Sequence, residues 1–209
     1  MAVGVTGNLP VPTSSVHPFA EVLTGTKWEI VGTAKLPPGT YASLSSVSCS
    51  RAGSCVAVGS YLAAAQRALA TQPPLVEAYN GSTWALEKTP VISGRLSFLT
   101  TVSCAPGAVP TSCTAVGSQS VDNKIAGPLV YRSEGDHWRV LNTPGIPPSG
   151  PGLAAVSCPQ PTSCMAIGSE GSAFSALDNS NKWSTVPVAK LVPRQATFAR
   201  IEMGAALLE

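Results

Sequence analysis

The segment LSSVSCSRAGSCVAVGS (44–60) recurs as LTTVSCAPGAVPTSCTAVGS (99–118) and again as LAAVSCPQPTSCMAIGS (153–169). A chain that repeats at this spacing folds as units too small to bury their own faces, so neighbouring units must stack. Each copy is followed by a variable stretch and a second block ending in tryptophan. These blocks are LVEAYNGSTW (75–84), LVYRSEGDHW (129–138) and FSALDNSNKW (174–183). A fourth such block, FAEVLTGTKW (19–28), lies near the N-terminus, so the four Trp fall one to a unit.

The first half of that fourth unit is divided. ATFARIEM (196–203) matches the strand before each first cysteine, and Met1-Ala2-Val3-Gly4 matches Cys-x-Ala-Val-Gly. Ile201 through Glu209 and on to Gly4 makes 13 positions, as does Val156 to Gly168. Counted from Val47, Val102, Val156 and Ile201, the periods are 55, 54, 45 and, across the join, 55 residues. Met203 and Glu209 then stand where the other units carry cysteine.

Each unit reads as four short strands. Strand A alternates (Leu44, Ser46, Ser48 against Ser45, Val47, Cys49), and strand B is the apolar run Val56-Ala57-Val58. Strand C runs from Leu75 to Tyr79, and strand D starts at Trp84 after an Asn80-Gly81 turn. Four strands per ~40–50 residues is the pattern of a propeller blade. The expected fold is all-β: a single four-bladed β-propeller over 1–209, closed by pairing of the C-terminal strand A with the N-terminal strand B. Blade 1 is split (196–209 plus 1–36), and blades 2, 3 and 4 cover 44–92, 98–146 and 152–190. A β-solenoid, or a piece of a larger ring, is the alternative.

The six cysteines form close pairs, Cys49/Cys55, Cys104/Cys113 and Cys158/Cys164. C-x5-C and C-x8-C bracket the A–B turn and set both sulfurs on neighbouring strands, which favours disulfides over buried free thiols. Zinc would need four converging ligands, and the only histidines are His17 and His137. Charged residues make only 11% of the chain, well under the ~25% usual for soluble domains, as expected if most blade faces are covered by neighbours. A net charge of +2 provides no basic face for nucleic acid, and no apolar run approaches a membrane span. Paired cysteines favour an extracytoplasmic location. Met1 leads into Ala-Val-Gly without a signal-peptide pattern, which keeps a cytoplasmic one open.

The combined pattern SVSC…C-x-AVG…NG-x-x-W resembles the repeats of actinobacterial, mostly exported, β-propeller-repeat proteins over practically the whole chain. The resemblance implies a fold and not an activity. Unit 1 departs from it in lacking both cysteines.

In such a fold the B–C and D–A connections share one face, where length and variation collect as they do in binding loops. Tyr61, Arg67, Asp122 and Lys124 are the ligand-binding candidates there, and Tyr61–Ala70 has the residues of a short helix that would form a lid. Arg200 and Glu202 replace small residues on the strand nearest the axis. They are either a salt bridge filling the space of the missing cystine or polar groups at the channel floor. His17, before Pro18 on the mouth side, is a third polar candidate. No G-x-S-x-G, H-E-x-x-H or P-loop is present, and no cofactor or metal is called for. The expected function is a ligand-binding module for a glycan, small molecule or protein, with oligomeric state left open. The alternative is a lyase, cyclase or hydrolase acting on an apolar metabolite, with Arg200, Glu202 and His17 as its polar groups.

Overall fold

The computed structural model describes residues 1–6, 16–37, 40–62, 72–108, 112–121, 124–135, 137–143, 152–169, 173–179 and 182–186. Among these, every regular element is a β-strand, and the strands form four antiparallel sheets. Sheet 1 holds β1 (Ala2–Thr6), β2 (His17–Thr24) and β3 (Lys27–Ile30). Sheet 2 holds β4 (Tyr41–Arg51), β5 (Ser54–Leu62), β6 (Pro74–Tyr79) and β7 (Trp84–Leu86). Sheet 3 holds β8 (Leu96–Cys104), β9 (Cys113–Val121), β10 (Lys124–Glu134) and β11 (His137–Val140). Sheet 4 holds β12 (Leu153–Gln160), β13 (Ser163–Ser169), β14 (Ala173–Asn179) and β15 (Lys182–Val186). Each sheet is a meander in chain order.

The repeat motifs explain the local geometry. At the β6–β7 turn, Asn80 Oδ1 accepts the N–H groups of Ser82 and Thr83 at 3.0 Å each, and Gly81 sits at φ 100°. This is the side chain and the backbone freedom such a hairpin requires. β4, β8 and β12 bulge at one shared place, between Leu44/Ser46, Leu99/Thr101 and Leu153/Ala155. Beside that bulge lies the glycine of A-V-G. A Cβ on Gly59 would fall onto the Ser43 carbonyl, and one on Gly117 onto the Phe98 carbonyl. The motif glycine is therefore a requirement of close backbone approach.

The sheets stack face on face, β1 and β2 against β4, β4 and β5 against β8, and β8 and β9 against β12. Three apolar clusters fill the seams. Ala20, Leu44, Ala57, Leu75 and Trp84 lie between sheets 1 and 2, and Val58, Val76, Leu99, Leu129 and Trp138 between sheets 2 and 3. Val116, Val130, Leu153, Val156 and Trp183 lie between sheets 3 and 4. The tryptophan of each of sheets 2–4 thus points at the preceding sheet, and all three are at most 6% exposed. Trp28 shares its face of sheet 1 with its cross-strand partner Leu23, on the side away from sheet 2, and is 51% exposed.

The cysteines pair as expected, Cys49–Cys55, Cys104–Cys113 and Cys158–Cys164, across the first turn of sheets 2, 3 and 4. Cys49 is opposite Cys55 in register, and Cys104 is opposite Cys113. The expected helix at Tyr61 needs correcting. Tyr61 and Leu62 close β5 as partners of Ala42 and Tyr41, because ladder pairing outweighs their weak local preference. The rest of that segment, 63–71, lies outside the described residues.

Candidate functional site

The meanders send the connections β1–β2, β3–β4, β5–β6 and β7–β8 to one end of the stack and the tight turns to the other. At the first of these ends, a cleft of about 260 Å³ opens beside sheet 1. His17, which begins β2 opposite Thr6, stands on one side, and the β3–β4 connection supplies Thr33, Lys35, Leu36 and Thr40 on the other. Two hydroxyls are held by the backbone. Thr33 Oγ1 donates to the Pro18 carbonyl at 3.4 Å, and Thr40 Oγ1 donates to the Pro37 carbonyl at 2.6 Å. Both oxygens keep lone pairs for a guest, while the Lys35 ammonium and the His17 ring supply donors. Leu36 anchors this wall by packing on the apolar cluster between sheets 1 and 2.

Glu77 of β6 lies behind that wall. Its side chain is fully buried, and Oε2 accepts the Ala34 N–H at 2.9 Å. Oε1 has no hydrogen-bond partner. Burial pushes the Glu77 carboxyl above its ordinary range, and the Ala34 bond only partly opposes that. The same unit position in sheet 3 is Tyr131, whose hydroxyl donates to the Pro90 carbonyl at 2.8 Å. Burial lifts its pKa to about 12. In both sheets, then, the third residue of the Trp-ending block reaches back to the connection that leaves the preceding sheet.

Tyr61 is at the same seam as the cleft. It packs half-buried against the cluster between sheets 1 and 2, which raises its pKa, and its cross-strand partner Ala42 donates to the carbonyl of Val16, next to His17. Lys124 is not brought there: it opens β10 of sheet 3, exposed and paired with Val121. Arg67, Asp122, Arg200 and Glu202 lie outside the described residues. A second cleft of about 270 Å³, at the tight-turn end between sheets 2 and 3, has its polar groups engaged. There the Tyr79 hydroxyl donates to the Gly81 carbonyl at 2.9 Å, and the Ser133 oxygen accepts the Cys113 N–H at 2.8 Å.

Sequence reasoning missed Thr33, Lys35 and Thr40, which sit in a connection with no motif. It also missed Glu77, a charge inside the otherwise apolar β6, and Arg132, a charge directly after the apolar run Leu129-Val130-Tyr131, and that was the available signal. Arg132 is buried between sheets 3 and 4, donating from Nε to Thr114 Oγ1 at 3.2 Å and approaching the Cys164 sulfur at 3.7 Å. No protein-family model matches the chain, and no curated protein matches it.

Proposed function

We propose that the chain is a four-bladed β-propeller of the exported, paired-cysteine kind, and that it works as a binding module rather than a catalyst. Serial stacking of four meanders, with the Trp of sheets 2, 3 and 4 turned to the preceding sheet, supports the ring. Trp28 and Leu23 are exposed on sheet 1, and in this reading that face meets sheet 4 as the other tryptophans meet their neighbours. In this reading the C-terminal strand A completes sheet 1 beside β1. Three disulfides fit an oxidising compartment. Acrylamide quenching of a variant keeping only Trp28 tests the ring. Closure predicts a shielded indole, and quenching equal to that of free tryptophan would refute it.

The cleft between His17 and Lys35 carries the functional reading. It lies at the loop-rich end and offers two nitrogen donors with two hydroxyl oxygens, and among the described residues no acidic side chain lines it. That chemistry suits a small glycan or metabolite bearing a carboxylate, held by a charge-assisted hydrogen bond and flanking hydroxyl contacts. The experiment is an NMR titration of the labelled protein with glucuronate and, separately, with glucose. Glucuronate is expected to shift the Thr33–Lys35 amides and the His17 ring, and a His17→Ala/Lys35→Ala variant should lose the response. Absence of any shift at the cleft with either sugar would count against the site.

A further inference from the structure

We propose that Glu77 is a proton switch for the cleft beside sheet 1: as a neutral acid it lets the cleft take a carboxylate-bearing guest, and as a carboxylate behind the wall it repels that guest. The inference rests on the carboxylate-binding reading of the cleft given above. It adds a residue that the guest does not touch and a direction of pH dependence.

The wall of the cleft belongs to the β3–β4 connection, and the structure fixes it at three points. Thr33 is tied to β2 through its hydroxyl and the Pro18 carbonyl, and Leu36 packs on the apolar cluster between sheets 1 and 2. Between them the Ala34 N–H donates to Glu77 Oε2 at 2.9 Å. Ala34 itself lines the cleft, flanked by Thr33 and Lys35. The tie to sheet 2 therefore ends on a carboxyl group directly behind two of the residues offered to a guest. One unit later the same position makes its tie without an acid. The Tyr131 hydroxyl donates to the Pro90 carbonyl at 2.8 Å, and a pKa of about 12 keeps it neutral through the physiological range. A tie of constant charge is thus compatible with this fold, and the unit that borders the cleft carries a titrating one.

Glu77 is fully buried. Burial pushes its carboxyl up from the ordinary 4.5, and the Ala34 bond opposes that only in part. A buried charge is weakly screened, so its field reaches through the wall. Among the described residues, the titratable groups on the surrounding elements are Lys35 on the connection, the Met1 amine before β1, Glu29 on β3, Tyr61 on β5, Tyr79 on β6 and Lys88 just past β7. Glu29 and Lys88 are exposed, and Lys35 is the one of these that lines the cleft. Protonated Glu77 leaves the Lys35 charge to the guest, and ionised Glu77 opposes it. The Glu77 contribution to anion affinity is whole below pH 4.5 and is lost as pH rises through the raised value. By linkage, a bound anion raises the Glu77 pKa by the same factor.

Two measurements on the full chain test this. The first follows the Glu77 carboxyl carbon by NMR from pH 4 to pH 8, alone, with saturating glucuronate and with glucose. Glucuronate, ionised over that range, is expected to raise the Glu77 midpoint by about 0.7 pH units, a five-fold coupling, and glucose to leave it in place. The second compares glucuronate affinity, read from the cleft amides, in the unaltered protein and in Glu77→Gln, which still accepts the Ala34 N–H but carries no charge. Between pH 4 and pH 8 the unaltered protein should lose about five-fold more affinity than the variant. The His17 ring also gains charge toward low pH, but it is common to both proteins and cancels in the comparison. A Glu77 midpoint indifferent to bound glucuronate, or matching pH profiles for the two proteins, would overturn the switch and leave the cleft standing. Cleft amides silent to glucuronate at every pH would overturn both. The first measurement needs no variant, so it decides the matter even if Glu77→Gln does not fold.

Discussion

At the residue scale, the side chains that matter most answer to a neighbour far away in sequence. Glu77 is bound 43 residues away, at the Ala34 N–H, and buries a carboxyl oxygen without a partner. Its pKa is raised in the fold from the ordinary 4.5, so its protonated form favours the folded state. That contribution is whole below pH 4.5 and is lost as pH climbs through the raised value. Urea unfolding between pH 4 and pH 8 should therefore show the protein losing stability relative to Glu77→Gln as pH rises. Parallel curves for the two proteins would refute the assignment. Gly117 provides a second case. Its Cβ would strike backbone, which cannot swing aside, so Gly117→Ala should cost on the order of 2–3 kcal/mol of unfolding free energy, read by denaturant titration.

At the scale of the element, much was legible in the sequence and some was not. Alternation and the Asn80-Gly81 turn marked the strands because both are local properties of the backbone. The cysteine spacing marked the hairpins, since only residues facing each other across a short turn can join. Removing one such bond with Cys104→Ser/Cys113→Ser should destabilise by about 2–3 kcal/mol in the chain-entropy estimate. A calorimetric melting temperature unchanged by that pair would contradict it. Tyr61 and Leu62 were misread because helix preference is weak beside a ladder partner, and β4 supplied one for each. That Ser48 and Ser103 accept the Cys104 and Cys158 N–H groups was invisible for another reason: their repetition was plain, but the acceptor they provide is used by the next sheet. Ser48→Ala should cost about 1 kcal/mol and expose the Cys104 amide to exchange, whereas Ser48→Thr should do neither.

At the scale of the molecule, the stack is built in one direction: sheets 1, 2 and 3 each cover the Trp of the sheet that follows, and sheets 2 and 3 its cystine as well. If the fourth unit is completed as proposed, the order of units around the ring is indifferent to where the chain is cut. A permutant with Glu209 joined to Met1, opened between β11 and β12, is then expected to fold with the three native disulfides and an unchanged far-ultraviolet circular dichroism spectrum. Scrambled cystines would argue for an open stack. Strand content, the four-fold repeat, the cystine pairing and the glycine of A-V-G were all readable along the chain, because each depends on neighbours a turn or a period away. The faces to which the tryptophans point, the Glu77–Ala34 bond and the cleft of His17 and Lys35 were not. They exist only where one sheet lies on another, and the distance between the meeting residues is set by packing, which no local pattern encodes.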